Sequence, residues 1–210
     1  MSTATANVAT PATDATRIDA LPSFVTGRRA IGWWAMVLFI ASEAALFAFL
    51  FVTYFYLDAA NAEWPMATRP KLLFPAIMLV VLLTSSLAVR WAELGIRRGA
   101  QGRLRAGLFI GTLLGLGFLV MQTAEYNKTL RHLTPSTNAY GSVFYTITGT
   151  HGAHVAVGIL MLLFVQVRAW LGHFDEHDHL AVQTVGMYWH FVDIVWMAIV
   201  ALIYLSPYLR

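Results

Sequence analysis

Residues 31–57 read IGWWAMVLFIASEAALFAFLFVTYFYL, an unbroken apolar run whose single charged residue, Glu43, falls near its middle. A stretch of about 20 apolar residues, rising about 1.5 Å each as a helix, is long enough to cross the hydrocarbon of a bilayer. Four further runs of this kind follow, at 72–91, 105–124, 141–168 and 182–206. Backbone polar groups in lipid must bond to one another, so runs this long and this apolar are helices, and a barrel would show shorter, alternating segments. The expected fold is therefore all-α: an integral membrane bundle of five transmembrane helices. The fourth run exceeds a perpendicular crossing, which calls for tilt or an extension into the interface. Trp33, Trp34, Tyr54, Tyr56, Trp64, Trp91, Trp170, Tyr204 and Tyr208 stand near the ends of the runs, where interfacial aromatics belong.

Composition agrees. Hydrophobic residues make up 58% of the chain and charged residues 12%, with a mean hydropathy of +0.63. The absence of cysteine excludes disulfides and thiolate metal sites. A net charge of +3 spread over short loops gives no nucleic-acid footprint. Residues 1–29, rich in Ala and Thr, lack both a basic start and an apolar core. They read as a mobile N-terminal tail ahead of a five-helix domain over 30–210.

Basic residues set an expected orientation. Nine arginines, including Arg28, Arg29 and the cluster Arg97, Arg98, Arg103 and Arg105, fall on one side, against five basic residues on the other. The heavier side is expected in the cytoplasm, with the N-terminus cytoplasmic and the C-terminus periplasmic. Gly107, Gly111 and Gly115, at four-residue spacing, lay a groove along one face of the third helix. Gly149, Gly152, Ala156 and Gly158 on the fourth are another run of small residues that permits tight contact, and both sets point to close helix packing.

The informative residues are polar ones at mid-membrane depth: Glu43 on the first helix, His151 and His154 on the fourth, His190 and Asp193 on the fifth. An ionisable group at the bilayer centre costs about 2.5 to 3.5 kcal/mol on insertion scales unless it finds a partner or a wet cavity. Glu43 is expected to bond His151 or His154, with His190 and Asp193 as a second pair. Three readings compete for this cluster: a paired polar core that fixes helix register, a proton relay, or a metal site. A relay needs polar groups from face to face, and only Ser42, Thr84, Ser85, Ser86, Thr146 and Thr148 extend the line. A metal site has only His-x-x-His to start from, so no metal is assigned. His173–His179 resembles a metal-binding run by composition, but reads better as a solvated turn. Glu125, in Gln-Thr-Ala-Glu-Tyr at 122–126, can reach interfacial water.

Gly-Thr-His-Gly-Ala-His-Val at 149–155 and Tyr-Trp-His-Phe-Val-Asp-Ile-Val-Trp at 188–196 resemble the paired signature of the cytochrome c oxidase subunit III family. Leu-Phe-Ile-Ala-Ser-Glu at 38–43, Gln-Thr-Ala-Glu-Tyr at 122–126 and Tyr-Gly-Ser-Val-Phe-Tyr at 140–145 extend the likeness in order, from residue 30 to the end. Larger members have seven helices, and this chain resembles the form without the first two. The cleft those helices help to form cannot have the same shape here.

The resemblance implies a supporting subunit of a proton-pumping haem-copper oxidase in the bacterial inner (plasma) membrane. Such a subunit packs on subunit I, alongside subunit II and other oxidase subunits, and binds phospholipid. It sustains proton uptake and turnover stability, while haem and copper lie in partner subunits and no catalytic residue lies in this chain. By position, Glu43 matches the family's buried carboxylate, and His151, His154, Trp189, His190, Asp193 and Trp196 match its signature helices. Quinol-oxidase subunits and homologues associated with nitric oxide reductases belong to the same family, and Glu at 43 leans towards the cytochrome c branch. Outside it stand two other classes, an independent proton channel or transporter and a His-rich membrane metalloenzyme.

Overall fold

The computed structural model describes residues 31–61, 64, 72–130 and 133–208. The expected tail at 1–29 lies outside the described residues. Five long helices account for nearly all of what is described: α1 Ile31–Ala60, α2 Leu73–Ile96, α3 Gln101–Thr129, α4 Ala139–Trp170 and α5 Leu180–Ile199. Each, with α5 continued to Tyr208, is long and apolar enough to cross a membrane. No strand occurs among the described residues.

The helices outrun the apolar runs at several ends, because charged residues in a helix's last turns leave the hydrocarbon without ending the hydrogen-bond ladder. On α2 the helix passes through Arg90 and Glu93, which pair at 2.8 Å, and stops only at Ile96. Gly99 then adopts a left-handed φ of 69°, and the Gly99 and Ala100 amides return to the Ile96 and Gly95 carbonyls. This tight turn lays α3 antiparallel against α2. Gly172, at φ 76°, closes α4 in a related way, with the His173 amide on the Arg168 carbonyl. At the start of α4 the Asn138 side chain accepts the Gly141 amide at 2.7 Å, a side-chain N-cap.

The fifth crossing differs from a uniform helix. After Ile199 the chain widens into a π-helical segment, Val200–Leu205, and tightens into a 3-10 turn, Ser206–Tyr208. Pro207 explains the break, since it brings no N–H and its ring collides with the carbonyl four residues back. The Ser206 hydroxyl meanwhile donates to the Leu202 carbonyl at 2.6 Å.

Helix α5 sits at the centre, packing on α1, α2 and α4, while α3 packs on α2 and α4. The indole of Trp189 is the wedge. It is fully buried, and a Cβ at Gly115 or Gly158 would stand 2.6 or 2.8 Å from its ring. Gly107 admits α2 in the same manner, because a Cβ there would lie 2.6 Å from the Ala88 carbonyl oxygen, and one at Gly111 would lie 2.7 Å from Val89. Helix α1 is peripheral: it packs on α4 and α5, and only 6% of its most apolar window is buried.

The Arg97–Gln101 turn and the 171–179 loop share one end of the bundle. The Gln101 amide donates to the Phe174 carbonyl at 2.5 Å, and Arg105 Nε donates to the Ala169 carbonyl at 3.1 Å. Gly107→Ala is expected to lower stability by about 1 to 3 kcal/mol through overpacking against rigid backbone. Gly117, with nothing near its Cβ direction, is the control, and Gly117→Ala should be neutral or gain up to about 1 kcal/mol. Denaturant titration in mixed micelles reads both, and equal midpoints for the two variants would refute the close α2–α3 approach.

Candidate functional site

Glu43 and His154 meet between α1 and α4. His154 Nε2 lies 2.9 Å from Glu43 Oε2, with the two side chains 15% and 22% exposed. The other ring nitrogen, Nδ1, lies 2.7 Å from the Thr150 carbonyl oxygen. A carbonyl only accepts, so Nδ1 carries hydrogen. Nε2 then has a hydrogen to offer only as imidazolium, and otherwise it accepts from a protonated Glu43 carboxyl. Either way the contact holds one proton and no net charge, which is the cheapest form for two ionisable groups at this depth. Phe47 closes over the pair with its ring centroid 5.0 Å from that of His154.

His151, one turn away, takes no part in that bond. Its ring is 0% exposed, stacks on Trp196 at 5.0 Å and meets Phe118 edge-on at 5.6 Å. Neither ring nitrogen has a hydrogen-bonding partner among the described residues. It packs as an aromatic, tying α4 to α3 and α5 through ring contacts.

The second expected pair takes another form. His190 does not bond Asp193; its Nδ1 is hydrogen-bonded to the Ser86 hydroxyl of α2. Asp193 is 3% exposed, and neither carboxyl oxygen completes a hydrogen bond among the described residues. Three residues apart on one helix, the two side chains both look outward towards α2 rather than at each other. Next to them Trp189 Nε1 donates to Ser85 Oγ at 3.0 Å.

A third polar knot joins α3 to α4 towards the opposite end. Tyr126 donates to Thr148 Oγ1 at 2.6 Å, and Gln122 Nε2 donates to the Thr148 carbonyl at 2.7 Å. Gly152 makes room for Gln122, whose amide would lie 2.9 Å from a Cβ there. Glu125 is partly buried beside this knot, but the bonds are made by its neighbours. Ser42, Thr84 and Thr146 bond only carbonyls of their own helices among the described residues, whereas Ser85 and Thr148 donate to their own helices and also accept from another, and Ser86 bonds across to α5.

Sequence reasoning passed over Glu93, which is 4% exposed although ionisable. Its carboxylate fits against α5 because residue 186 is glycine; a Cβ at that position would collide with it. The signal was the i, i+3 spacing to Arg90, hidden because the apolar run was ended at residue 91. Among the described residues, no three His, Cys, Asp or Glu side chains gather as a group that could hold a metal. In the 173–179 loop, Asp175 instead accepts the amides of Asp178 at 2.6 Å and His177 at 2.8 Å. These two bonds, Asp178 first, hold the exposed Asp175 carboxyl below its ordinary value of 3.8.

Taken together, the fold and its polar layer define a multi-pass α-helical membrane protein with ionisable groups held between its helices. The model of the cytochrome c oxidase subunit III family matches residues 25–208, and the chain belongs to that family. It is 35% identical to the cytochrome c oxidase subunit 3 of Synechocystis sp., over 82% of this chain and 74% of that one. It is 38% identical to the probable cytochrome c oxidase subunit 3 of Mycobacterium leprae, over 80% and 84%. With that of Drosophila melanogaster the figures are 32%, 81% and 68%.

A double-mutant cycle of Glu43→Ala and His154→Ala should give a coupling of about 0.6 to 1.7 kcal/mol in micelle unfolding. Strict additivity would show that the contact is not formed. For Asp175 the folded-state value is the depressed one, so its contribution is present above the unfolded value and fades as pH falls through the folded one. Amide resonances of His177 and Asp178 should therefore titrate with a midpoint below 3.8. Asp175→Asn should abolish that transition, and a midpoint at or above the ordinary value would contradict the capped turn.

Proposed function

We propose that this chain is the non-redox supporting subunit of a proton-pumping haem-copper terminal oxidase, a cytochrome c oxidase, in a bacterial inner membrane. It packs on subunit I, holds phospholipid against its outer face and sustains proton uptake and turnover stability. Its N-terminus and the Arg97–Arg105 turn face the cytoplasm, and the haem and copper belong to partner subunits. The observation that carries this reading is the nearly uncovered α1. Phe49, Val52 and Tyr56 are exposed along it, while its partly open Glu43 is neutralised by His154 rather than by solvent. A face built this way suits acyl chains and apolar helices of another subunit. Membership of the family supports taking that neighbour to be subunit I.

In this role Glu43 and His154 fix how α1 sits on α4, and so shape the surface presented to lipid and to subunit I. An ion pair left half-broken in lipid is costly, so loss of one member displaces the helix that carries it.

The test is purification through a tag on this chain. Copurification of a partner with haem absorbance is expected; recovery without haem, from membranes that contain the oxidase, overturns the reading. Glu43→Ala should leave the haem spectrum of the complex intact while retained phospholipid or subunit association falls. Complete loss of haem from the complex would contradict the assignment of electron transfer to other subunits.

A further inference from the structure

The seam between α2 and α5 carries two matched stripes. On α2, Ser86, Arg90 and Glu93 fall at i, i+4 and i+7; on α5, Gly186, His190 and Asp193 fall at the same intervals. Each set lies on one helical face. The helices run antiparallel, so Glu93 meets Gly186 near the Arg97–Gln101 end of the bundle, and Ser86 meets His190 deeper in. At about 1.5 Å per residue, the step from Glu93 to Ser86 covers about 10 Å of depth. The charged groups nearest His190 are Glu93 and Arg90, both on α2, and the polar group nearest Asp193 is Ser86. On α3, the residues pressed against α2 here are Gly107 and Gly111, which bring no charge.

We propose that this seam is a dead-ended proton-binding site, in which Asp193 takes a proton from the Arg97–Gln101 end of the bundle by way of Glu93, His190 and Ser86. Three features support it. His190 Nε2 is buried and has no partner among the described residues, while Nδ1 is committed to Ser86, so the ring offers one face to each neighbour. Both oxygens of Asp193 are buried without a completed bond, and the neighbouring polar group is Ser86 of α2. At the outer end the Arg90 side chain is 50% exposed and pairs with the buried Glu93, which brings the seam to the surface of the bundle beside the Arg97–Gln101 turn.

The transfer balances with one proton and no electrons. Water carries a proton from Glu93 to Nε2, and the ring releases the hydrogen on Nδ1 to Ser86 Oγ. The serine's own hydrogen then passes to the Asp193 carboxylate. An imidazole can do this because protonation at one nitrogen acidifies the other. The line stops at Asp193. The next polar knot, at Gln122 and Thr148, lies between α3 and α4, so the seam stores and returns protons at one face and does not conduct them across.

The site goes beyond the oxidase reading and stands without it, because the test reads this chain's own carboxyl whatever copurifies. In infrared spectra of the complex purified through this chain, a protonated-carboxyl band should shift with isotope-labelled aspartate and vanish in Asp193→Asn. On transfer to heavy water that band should exchange, and Ser86→Ala should slow its exchange by about tenfold or more. Glu93→Gln should slow it similarly. If Asp193→Asn fails to assemble, the labelled band in wild type and Ser86→Ala still decides. The absence of a labelled aspartic-acid band, or unchanged exchange in Ser86→Ala, overturns the proposal.

Discussion

Hydrocarbon offers no hydrogen bonds, and that constraint sends most of the polar side chains at mid-depth in this bundle to a partner on another helix, with His151 and Asp193 the exceptions. Glu43 and His154 share one proton across α1 and α4. His190 spends a nitrogen on Ser86, and the Trp189 N–H goes to Ser85. Tyr126 and Gln122 converge on Thr148. Each bond joins two different helices, so satisfying the polar groups and fixing the helix register are one event. Sliding any helix by a residue would strand a charge or a donor in lipid.

Close approach makes those bonds reachable. Membrane helices gain little from burying apolar surface against one another, so contact depends on packing and on small residues that let backbones near. Gly107 and Gly111 admit α2 to α3, and Gly115 and Gly158 together receive the Trp189 ring. That ring sits one residue from His190 and four from Asp193, so the wedge that centres α5 also aims its polar face at α2.

Much of this was legible in the chain. The five crossings follow from length and apolarity, and the partnership of Glu43 with a histidine of the fourth helix follows from the cost of leaving either alone. What the sequence could not show was which neighbour each polar group would choose. His190 and Asp193 look like partners because they lie three residues apart. Both nevertheless point from one helix towards α2, where a serine indistinguishable in sequence from Ser42 or Thr84 happens to face them. Glu93 was missed for a similar reason. An apolar run ends where charge begins, but a helix does not, and the residues just past the run's edge can still be buried by a neighbour with a glycine in the right place.

The two ionisable sites differ in what the bundle lets them do. Glu43 and His154 are neutral as a pair, partly open to the outside of the bundle and bonded at every nitrogen of the ring, so a proton there is shared within the pair. A change on the outer face, where α1 is least covered, is felt directly by that contact. The α2–α5 seam is the reverse: Glu93 and Asp193 are buried, Ser86 and His190 are half-buried, and an imidazole nitrogen and a carboxyl are left unbonded. Leaving such groups unsatisfied costs on the order of 1 to 3 kcal/mol each. Structural needs alone would be met by apolar residues of the same size. An unspent hydrogen-bonding capacity next to a bifunctional ring is what proton traffic requires, and it is the feature that register and packing leave unexplained.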